Sequence, residues 1–266
     1  MLEAGYTRDS TLALWLANET EHLVTVIAAA KIGMRVIVID PHVSIDGVAT
    51  VIKAEECRGL MFGQRFKSEA RTKLVAALTD LEFWHWGDNV NDKSMRKLRH
   101  LINTGHEEVR GILQFGSLPV YNPMPDPIPI LRPTLSADDV LVVPYSAAAD
   151  GSAVRGEPLT QGALVSTAKA SAKAMNLSGE DIVCVSAWLH SRFGLAAGSL
   201  AALHAGSKVR CARGWCRALS VGAGPGFTAA RRGPRSSSPR ARRTPSPRSS
   251  AWTSSKPPRS LGVPSA

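Results

Sequence analysis

Two segments of the chain combine glycine, hydroxyl and charged residues directly after a predicted strand, where side chains are placed to do chemistry. The first is Ser146–Pro158, after the strand Val140–Tyr145, and the second is Trp188–Leu195, after the strand Ile182–Ser186. Each segment also has an ordinary interpretation. The first is typical of a small-residue surface loop, and a single histidine such as His190 at a strand-to-helix junction is commonly a hydrogen-bonded structural residue.

Other reactive residue types lack the spacing that their chemistry requires. Cys57, Cys184, Cys211 and Cys216 form no CxxC pair, which argues against a disulfide framework or a structural zinc site and favours a reducing compartment. The sequence has no H-E-x-x-H motif, no complete Walker loop and no Ser/His/Asp arrangement with a convincing local context. We therefore assign no catalytic residue and no metal ligand from the sequence.

The elements that would position the two segments alternate between strand and helix. Thr11–Leu16 is predicted to be a strand, followed by a helix that begins at Asn18 with Glu21 at capping-box spacing. Gly33 stands where a helix C-cap glycine belongs, and Arg35–Ile39 is rich in β-branched residues. This βαβ pattern predicts parallel strands.

The alternation continues along the chain. We predict helices at 45–56, 66–78, 93–102, 160–175 and 193–205, and strands at 59–62, 82–86, 111–115, 140–145, 182–186 and from Lys208 onward.

The whole positive excess behind the net charge of +10 lies at the end of the chain. Residues 210–266 hold twelve Lys and Arg and no Asp or Glu, which leaves 20 basic and 22 acidic residues in 1–209. Arg, Ser, Pro, Gly and Ala dominate this tail, so we expect it to be disordered. The same composition is typical of GC-rich codons read out of frame.

Targeting signals are not evident in the sequence. The N-terminus, with Glu3, Arg8 and Asp9, lacks the uninterrupted apolar run of a secretory signal. The most apolar stretch, Leu23–Ile39, is broken by Lys31 and is too short for a membrane span. We expect an intracellular protein without a transmembrane segment.

The stretch Asn18–Pro41, NETEHLVTVIAAAKIGMRVIVIDP, carries a family resemblance. It resembles the early βαβ unit of adenylate-forming (AMP-binding) acyl-CoA synthetases, in which a helix ending in A-A-x-K-x-G feeds a strand ending in N-P or D-P. Val140–Lys208 resembles the next landmark region, in the expected order. The resemblance implies an α/β fold: an incomplete N-terminal domain over 1–209, with a mostly parallel sheet and flanking helices, and a separate basic tail over 210–266.

In that family a strand ending in tyrosine leads into S-G-T-T-G-x-P-K-G and then L-T-H. Here Tyr145 is followed by S-A-A-A-D-G, R-G stands in for K-G, and L-T-Q stands in for L-T-H. The resemblance implies a degenerate ATP-phosphate loop made by Ser146, Gly151, Arg155, Gly156 and Thr160. The alanines at 147–149 remove hydroxyl donors and Asp150 adds a negative charge, so we expect reduced nucleotide affinity.

The segment Trp188–Leu195, W-L-H-S-R-F-G-L, is similar to the family's aromatic-x-H-x-x-G-L segment, which contributes to the acyl-binding pocket. The resemblance implies that Trp188 forms pocket wall and that His190 and Gly194 lie near the fatty-acyl and pantetheine channels.

The resemblance implies ATP-dependent ligation of a fatty acid to coenzyme A through an acyl-adenylate, with ATP, Mg²⁺ and coenzyme A as cofactors. The family's later motifs, Y-G-x-T-E, T-G-D and a lysine-bearing C-terminal domain, are not found after Lys208, so we expect this chain to be incomplete or inactive. Two alternatives stay open. The Arg/Ser-rich tail could bind RNA or a partner, although no specific nucleic acid is expected, or the chain could be a non-catalytic acyl-binding pseudoenzyme.

Overall fold

The parallel strands that carry both candidate segments form the centre of the structure. A computed structural model describes residues 1–63, 97–105, 112–118 and 127–211, together with the backbone of 227–231. The strands are β1 Thr11–Trp15, β2 Arg35–Ile39, β3 Gly59–Phe62, β4 His100–Asn103, β5 Leu113–Gln114, β6 Val140–Ala147, β7 Ala153–Arg155, β8 Leu159–Thr160, β9 Asp181–Val185, β10 Lys208–Cys211 and β11 Phe227–Arg231.

The helices lie between these strands along the chain. They are α1 Thr20–Ile32, α2 Ile45–Ala54, the single turn α3 Ile128–Leu131, α4 Gln161–Ala174 and α5 Ala201–His204. A π-helical segment, Phe193–Leu200, runs directly into α5, and short 3-10 helices occupy Leu2–Ala4, Phe115–Ser117 and Arg132–Thr134.

The strands make two sheets. The first has the order β5-β4-β3-β1-β2-β6-β7, with β8 also paired to β6, and the second has the order β10-β9-β11. Neighbours from β5 to β6 are parallel, whereas β7 and β8 run antiparallel to β6. This arrangement confirms the predicted α/β fold with a mostly parallel sheet.

Both faces of the first sheet are buried, as expected for parallel strands covered by helices. Successive residues of β1 alternate between two apolar clusters: Leu12 and Leu14 face the cluster that includes α1 and α4, and Ala13 and Trp15 face the cluster that includes α2. Val183 of β9 belongs to the first of these clusters. Helices α1 and α4 therefore share a core with both sheets.

Local sequence signals fixed several element boundaries. The predicted strands Arg35–Ile39 and Gly59–Phe62 are confirmed without change as β2 and β3. Gly33 ends α1 in the left-handed region at φ 73°, and its N–H donates to the carbonyls of Ala29 and Ala30. The C-cap prediction is therefore confirmed.

The helix predicted at 93–102 is wrong over its described part. His100–Asn103 forms β4 and pairs residue for residue with β3. Leu98, Leu101 and Ile102 are all buried, and their spacing also fits an amphipathic helix, so strand pairing decided between the two structures. The predicted helix 66–78 and strand 82–86 lie outside the described residues.

The predicted strand at Lys208 is confirmed as β10, which ends at Cys211. The backbone of β11 pairs antiparallel with β9 and lies inside the segment 210–266. The division of the chain at 209 stays a prediction. Within the part of the chain that the structure describes, no helix has the length and apolar character needed to cross a bilayer.

Candidate functional site

The carboxyl ends of β1, β2 and β6 lie side by side, because these strands are parallel and β2 pairs with both neighbours. Parallel α/β sheets bind their ligands at this edge, where the loops after the strands meet. We call this region the carboxyl edge. The loop after β1 carries Asn18, the loop after β2 carries Asp40 and His42, and the loop after β6 begins with Ser146.

Asp40 connects the two segments that the sequence singled out. Its backbone N–H donates to the carbonyl of Tyr145 at 2.9 Å, and its Oδ2 lies 3.4 Å from Nε2 of His190. Its other oxygen, Oδ1, accepts from the N–H of His42 at 2.9 Å and lies 2.7 Å from Nδ1 of the same residue. One residue therefore holds both partners at a common site: the backbone of Asp40 bonds the end of β6, and its carboxylate contacts the His190 imidazole.

Three rings form the wall of the carboxyl edge. Trp188 stacks on His190 with ring centroids 5.9 Å apart and planes at 29°. His42 meets the indole of Trp188 edge-on, with ring centroids 5.6 Å apart and planes at 88°. Trp188 and His190 thus lie ring to ring, His42 adds a third ring, and their place in an acyl pocket stays a prediction.

Asn18 anchors the turn that carries these rings. Its Nδ2 donates to the carbonyl of Ala187 and its Oδ1 accepts from the N–H of Leu189, both at 2.9 Å. The predicted capping role of Asn18 is wrong: α1 begins at Thr20, with Glu19 as N-cap and no side-chain cap hydrogen bond. The amide serves a long-range contact instead of a local one.

Gly194 lets the π-helical segment approach the same turn. A Cβ at this position would lie 2.2 Å from the carbonyl oxygen of Trp188 and 3.0 Å from that of Ala187. These are backbone atoms that cannot swing away. Close packing against the backbone therefore requires glycine at position 194. Its predicted place beside an acyl channel stays a prediction.

Burial and hydrogen bonding set the charges at the carboxyl edge. Burial raises the pKa of Asp40, but the hydrogen bonds from His42 and the nearby His190 outweigh it, so the net pKa is lowered and the group is an anion at neutral pH. Burial lowers the pKa of His190 despite the neighbouring Asp40. His190 is therefore a neutral imidazole at pH 7.

His22 lies behind the edge in the first turns of α1 and is fully buried. Burial and, to a smaller extent, the nearby His190 lower its pKa, a contact with the Ala17 carbonyl partly offsets them, and the net pKa is about 3. A buried imidazole of this kind stays neutral at pH 7, because its apolar surroundings disfavour the charged form.

The segment predicted to hold phosphates forms a hairpin between β6 and β7. Ser146 pairs with Val154, and Gly151 turns the chain in the left-handed region at φ 81°. The N–H groups of Ala148 and Gly151 donate to carbonyls inside the hairpin, and that of Ser152 donates to Asp150 Oδ1 at 2.9 Å. These three donors are therefore occupied within the loop.

Two further predicted phosphate ligands have other partners. Arg155 Nε donates to Glu55 Oε1 at 2.8 Å, and the same oxygen accepts from the Tyr145 hydroxyl at 2.8 Å. Gly156 donates its N–H to the Pro144 carbonyl, and a Cβ there would lie 3.2 Å from that oxygen. The structure does not bring Arg155 to the His190 ring cluster.

Thr160 caps α4, accepting from the N–H of Ala163 at 3.2 Å. Its strand β8 pairs with Val140 at the start of β6, six residues before Ser146. At about 3.4 Å per residue this separation is roughly 20 Å. Thr160 and Ser146 therefore lie at opposite ends of β6.

Comparison with known proteins places this fold in a family. The sequence matches the family described as AMP-binding enzyme over residues 1–224, which includes every element from β1 to β10. The chain belongs to the AMP-binding enzyme family. A comparison with curated protein sequences gives no match.

Solved structures of AMP-binding enzymes share the fold. A protein described as a long-chain-fatty-acid CoA ligase from Rhodopseudomonas palustris aligns with a TM-score of 0.58 at 17% identity, covering 80% of this chain and 47% of that one. The anthranilate CoA ligase AuaEII, in complex with anthranoyl-AMP, aligns with a TM-score of 0.58 at 16% identity, covering 78% and 36%.

The N-terminal domain of FACL13 from Mycobacterium tuberculosis aligns with a TM-score of 0.54 at 12% identity, covering 80% of this chain and 46% of that one. The chain thus spans about half of these structures or less. At such identities the likeness shows the fold, which is that of the N-terminal part of adenylate-forming enzymes.

The residues of the carboxyl edge were only partly found from sequence. Trp188 and His190 were assigned to a candidate site from the sequence. Asn18, Asp40 and His42 were not assigned to one. Their signal was present in the sequence, because each lies within three residues of the end of a buried strand, where parallel sheets bind ligands. Among the described residues no group of three or more His, Cys, Asp or Glu side chains is arranged to hold a metal ion.

Proposed function

We propose that this AMP-binding family member is an acyl-CoA synthetase-like protein that binds a fatty-acyl substrate at the carboxyl edge. The observation that carries the proposal is the double contact of Asp40 with the Tyr145 carbonyl and with His190 Nε2. This contact unites the two segments that resemble the nucleotide loop and the acyl pocket. Trp188 supplies an apolar ring for the acyl chain, and His190 is 12% exposed and neutral.

The phosphates of ATP fit the hairpin poorly as it is folded. A phosphate cradle needs several N–H donors aimed outward at one point, whereas those of Ala148, Gly151 and Ser152 donate inside the loop. Asp150 is exposed, and its hydrogen bonds with Ser152 lower its pKa, so it adds a negative charge. The described residues therefore favour weak ATP binding.

This loop geometry favours a second candidate within the same family. A pseudoenzyme would bind the acyl group without activating it. ATP–pyrophosphate exchange with dodecanoate separates the two candidates, and we expect no exchange by the 266-residue chain. Exchange that depends on the fatty acid would establish ligase chemistry and remove the pseudoenzyme.

Binding of a non-hydrolysable acyl-adenylate, dodecanoyl-sulfamoyl-adenosine, tests the proposed acyl site by calorimetry. His190→Ala removes a ring that stacks on Trp188, so the affinity falls about tenfold, equivalent to about 1.4 kcal/mol. His204→Ala is the matched control, because His204 is an exposed histidine in α5. Equal affinity of both variants and the unchanged chain would refute the acyl site.

The basic tail lies almost entirely outside the described residues, and its RNA- or partner-binding role stays a prediction. Binding that weakens steeply with added salt is the expected behaviour of such a role.

A further inference from the structure

A cavity, which we call the amino-edge cavity, opens at the amino ends of the parallel strands, opposite the carboxyl edge. It has a volume of about 540 Å³, within the size range of small-ligand pockets. Its walls come from α1, the segment before β6, β6 itself and α4. The residues that matter for its chemistry are Ile27, Lys31, Arg132, Leu141, Leu164 and Val165.

The walls of this cavity are apolar and partly open to water. Val165 is 50% exposed and Ile27 is 36% exposed, whereas Leu164 and Leu141 beside them are buried. Apolar side chains that face each other across an open cavity gain free energy when a ligand replaces the water between them. A ligand with an apolar body suits the interior.

The charges at this cavity have one sign. Lys31, in the last turn of α1, and Arg132 are both exposed, and no Asp or Glu lies among the described lining residues. An anionic group on the ligand is therefore attracted to the same site that receives its apolar body.

We propose that the amino-edge cavity binds an alkyl carboxylate of fatty-acid type, with its chain between Ile27 and Val165 and its carboxylate toward Lys31 and Arg132. This site is separate from the carboxyl edge. Lys31 precedes the start of β2 and Asp40 follows its end, and five strand residues span roughly 17 Å. The proposal does not rest on the acyl site at His190.

Calorimetric titration of the 266-residue chain with dodecanoate tests the cavity. Val165→Glu places a negative charge at the cavity on a half-exposed position that tolerates a polar residue, and we expect at least about fivefold weaker binding. Val24→Glu is the matched control, since Val24 is 46% exposed on α1 and does not line the cavity. Equal dodecanoate affinity of these two variants overturns the proposal, and so does the lack of any dodecanoate binding by the unchanged chain.

Charge reversal at the rim gives a second test that does not alter the apolar walls. Lys31→Glu should lower the affinity for dodecanoate up to about fivefold and leave the affinity for dodecanol, which has no charge, unchanged. Lys53→Glu is the matched control, in the last turn of α2. If Lys31→Glu lowers the affinity for both ligands to the same extent, or for neither, Lys31 does not hold the carboxylate.

The length of the alkyl chain of the ligand and the variants that lose dodecanoate binding distinguish this site from the one at His190. Each added methylene should raise affinity about fourfold until the cavity is filled. Dodecanoate binding that is lost in Val165→Glu and kept in His190→Ala supports the amino-edge cavity even if the acyl site fails. Binding lost only in His190→Ala overturns the cavity and leaves the acyl site standing.

Discussion

Replacement of Asn18 by alanine is expected to loosen the turn that carries Trp188 and His190. Asn18 is 2% exposed, and its amide makes two hydrogen bonds of 2.9 Å, to the Ala187 carbonyl and from the Leu189 N–H. Each neutral hydrogen bond contributes about 1 kcal/mol, and a buried group left without a partner costs about 1–3 kcal/mol. Together these effects lower the free energy of unfolding by about 2–4 kcal/mol.

Urea denaturation of the 266-residue chain, followed by tryptophan fluorescence, measures this change. With a denaturant slope of about 2 kcal/mol per molar urea, the middle of the usual range, the midpoint should fall by about 1–2 M. Ser166→Ala is the control, because the Ser166 hydroxyl makes one exposed hydrogen bond to the Ala163 carbonyl. It should change stability by less than about 0.5 kcal/mol.

The same variant should affect ligand binding more than a general loss of stability does. In conditions where Asn18→Ala is fully folded by circular dichroism, we expect weaker binding of the acyl-adenylate analogue, because the His190 turn has lost its anchor. A free energy of unfolding for Asn18→Ala within about 0.5 kcal/mol of that of the unchanged chain would show that the two hydrogen bonds of Asn18 do not stabilise the fold.

Three further outcomes follow from single contacts. Gly194→Ala should destabilise the chain by about 2 kcal/mol or more, because its Cβ would lie 2.2 Å from the Trp188 carbonyl oxygen. Gly116→Ala is the control and should be near neutral, because no atom lies within 4 Å of a Cβ at that position. Urea denaturation compares the two variants. Replacing His22 by Gln should flatten the fall in stability between pH 6 and pH 4, measured by urea denaturation at each pH. Glu55→Gln should release the guanidinium of Arg155 and tighten pyrophosphate binding up to about fivefold, measured by calorimetry.

The sign of the His22 effect follows from its lowered pKa of about 3. The unfolded chain binds a proton at this residue near pH 6.5 and the folded chain does not, so its stabilising contribution is complete above that pH and is lost as the pH falls toward 3. The loss approaches about 1.4 kcal/mol per pH unit for one proton. If the stability of His22→Gln depends on pH as that of the unchanged chain does, burial does not hold His22 neutral. If Glu55→Gln leaves the pyrophosphate affinity unchanged, Glu55 does not compete with pyrophosphate for Arg155.

Elements with strong local signals could be predicted from the sequence. β2 is a β-branched run placed between the C-cap glycine of α1 and Asp40-Pro41, so neighbouring residues alone define its bounds. By contrast, the pattern of Leu98, Leu101 and Ile102 satisfies both helix and strand, and pairing with β3, about 40 residues earlier, selected the strand.

The site was harder to predict because its contacts are long-range. Asn18 fits a capping position by its neighbours, yet its amide bonds residues 169 and 171 positions away. Arg155 fits the lysine of a phosphate loop by alignment, yet it pairs with Glu55, 100 positions earlier. A motif gives the order of residues along the chain, whereas partner choice depends on which elements the fold brings together.

If Asp40 joins the hairpin after β6 and the His190 turn into one binding site, one ligand should affect all three. Nuclear magnetic resonance of the labelled chain during titration with dodecanoyl-sulfamoyl-adenosine measures this. We expect the signals of the His190 ring and of the Asp40 and Ser146 amides to shift together, with one dissociation constant, while the signal of the His204 ring does not shift. Shifts at His190 without any change at Asp40 and Ser146 would contradict it.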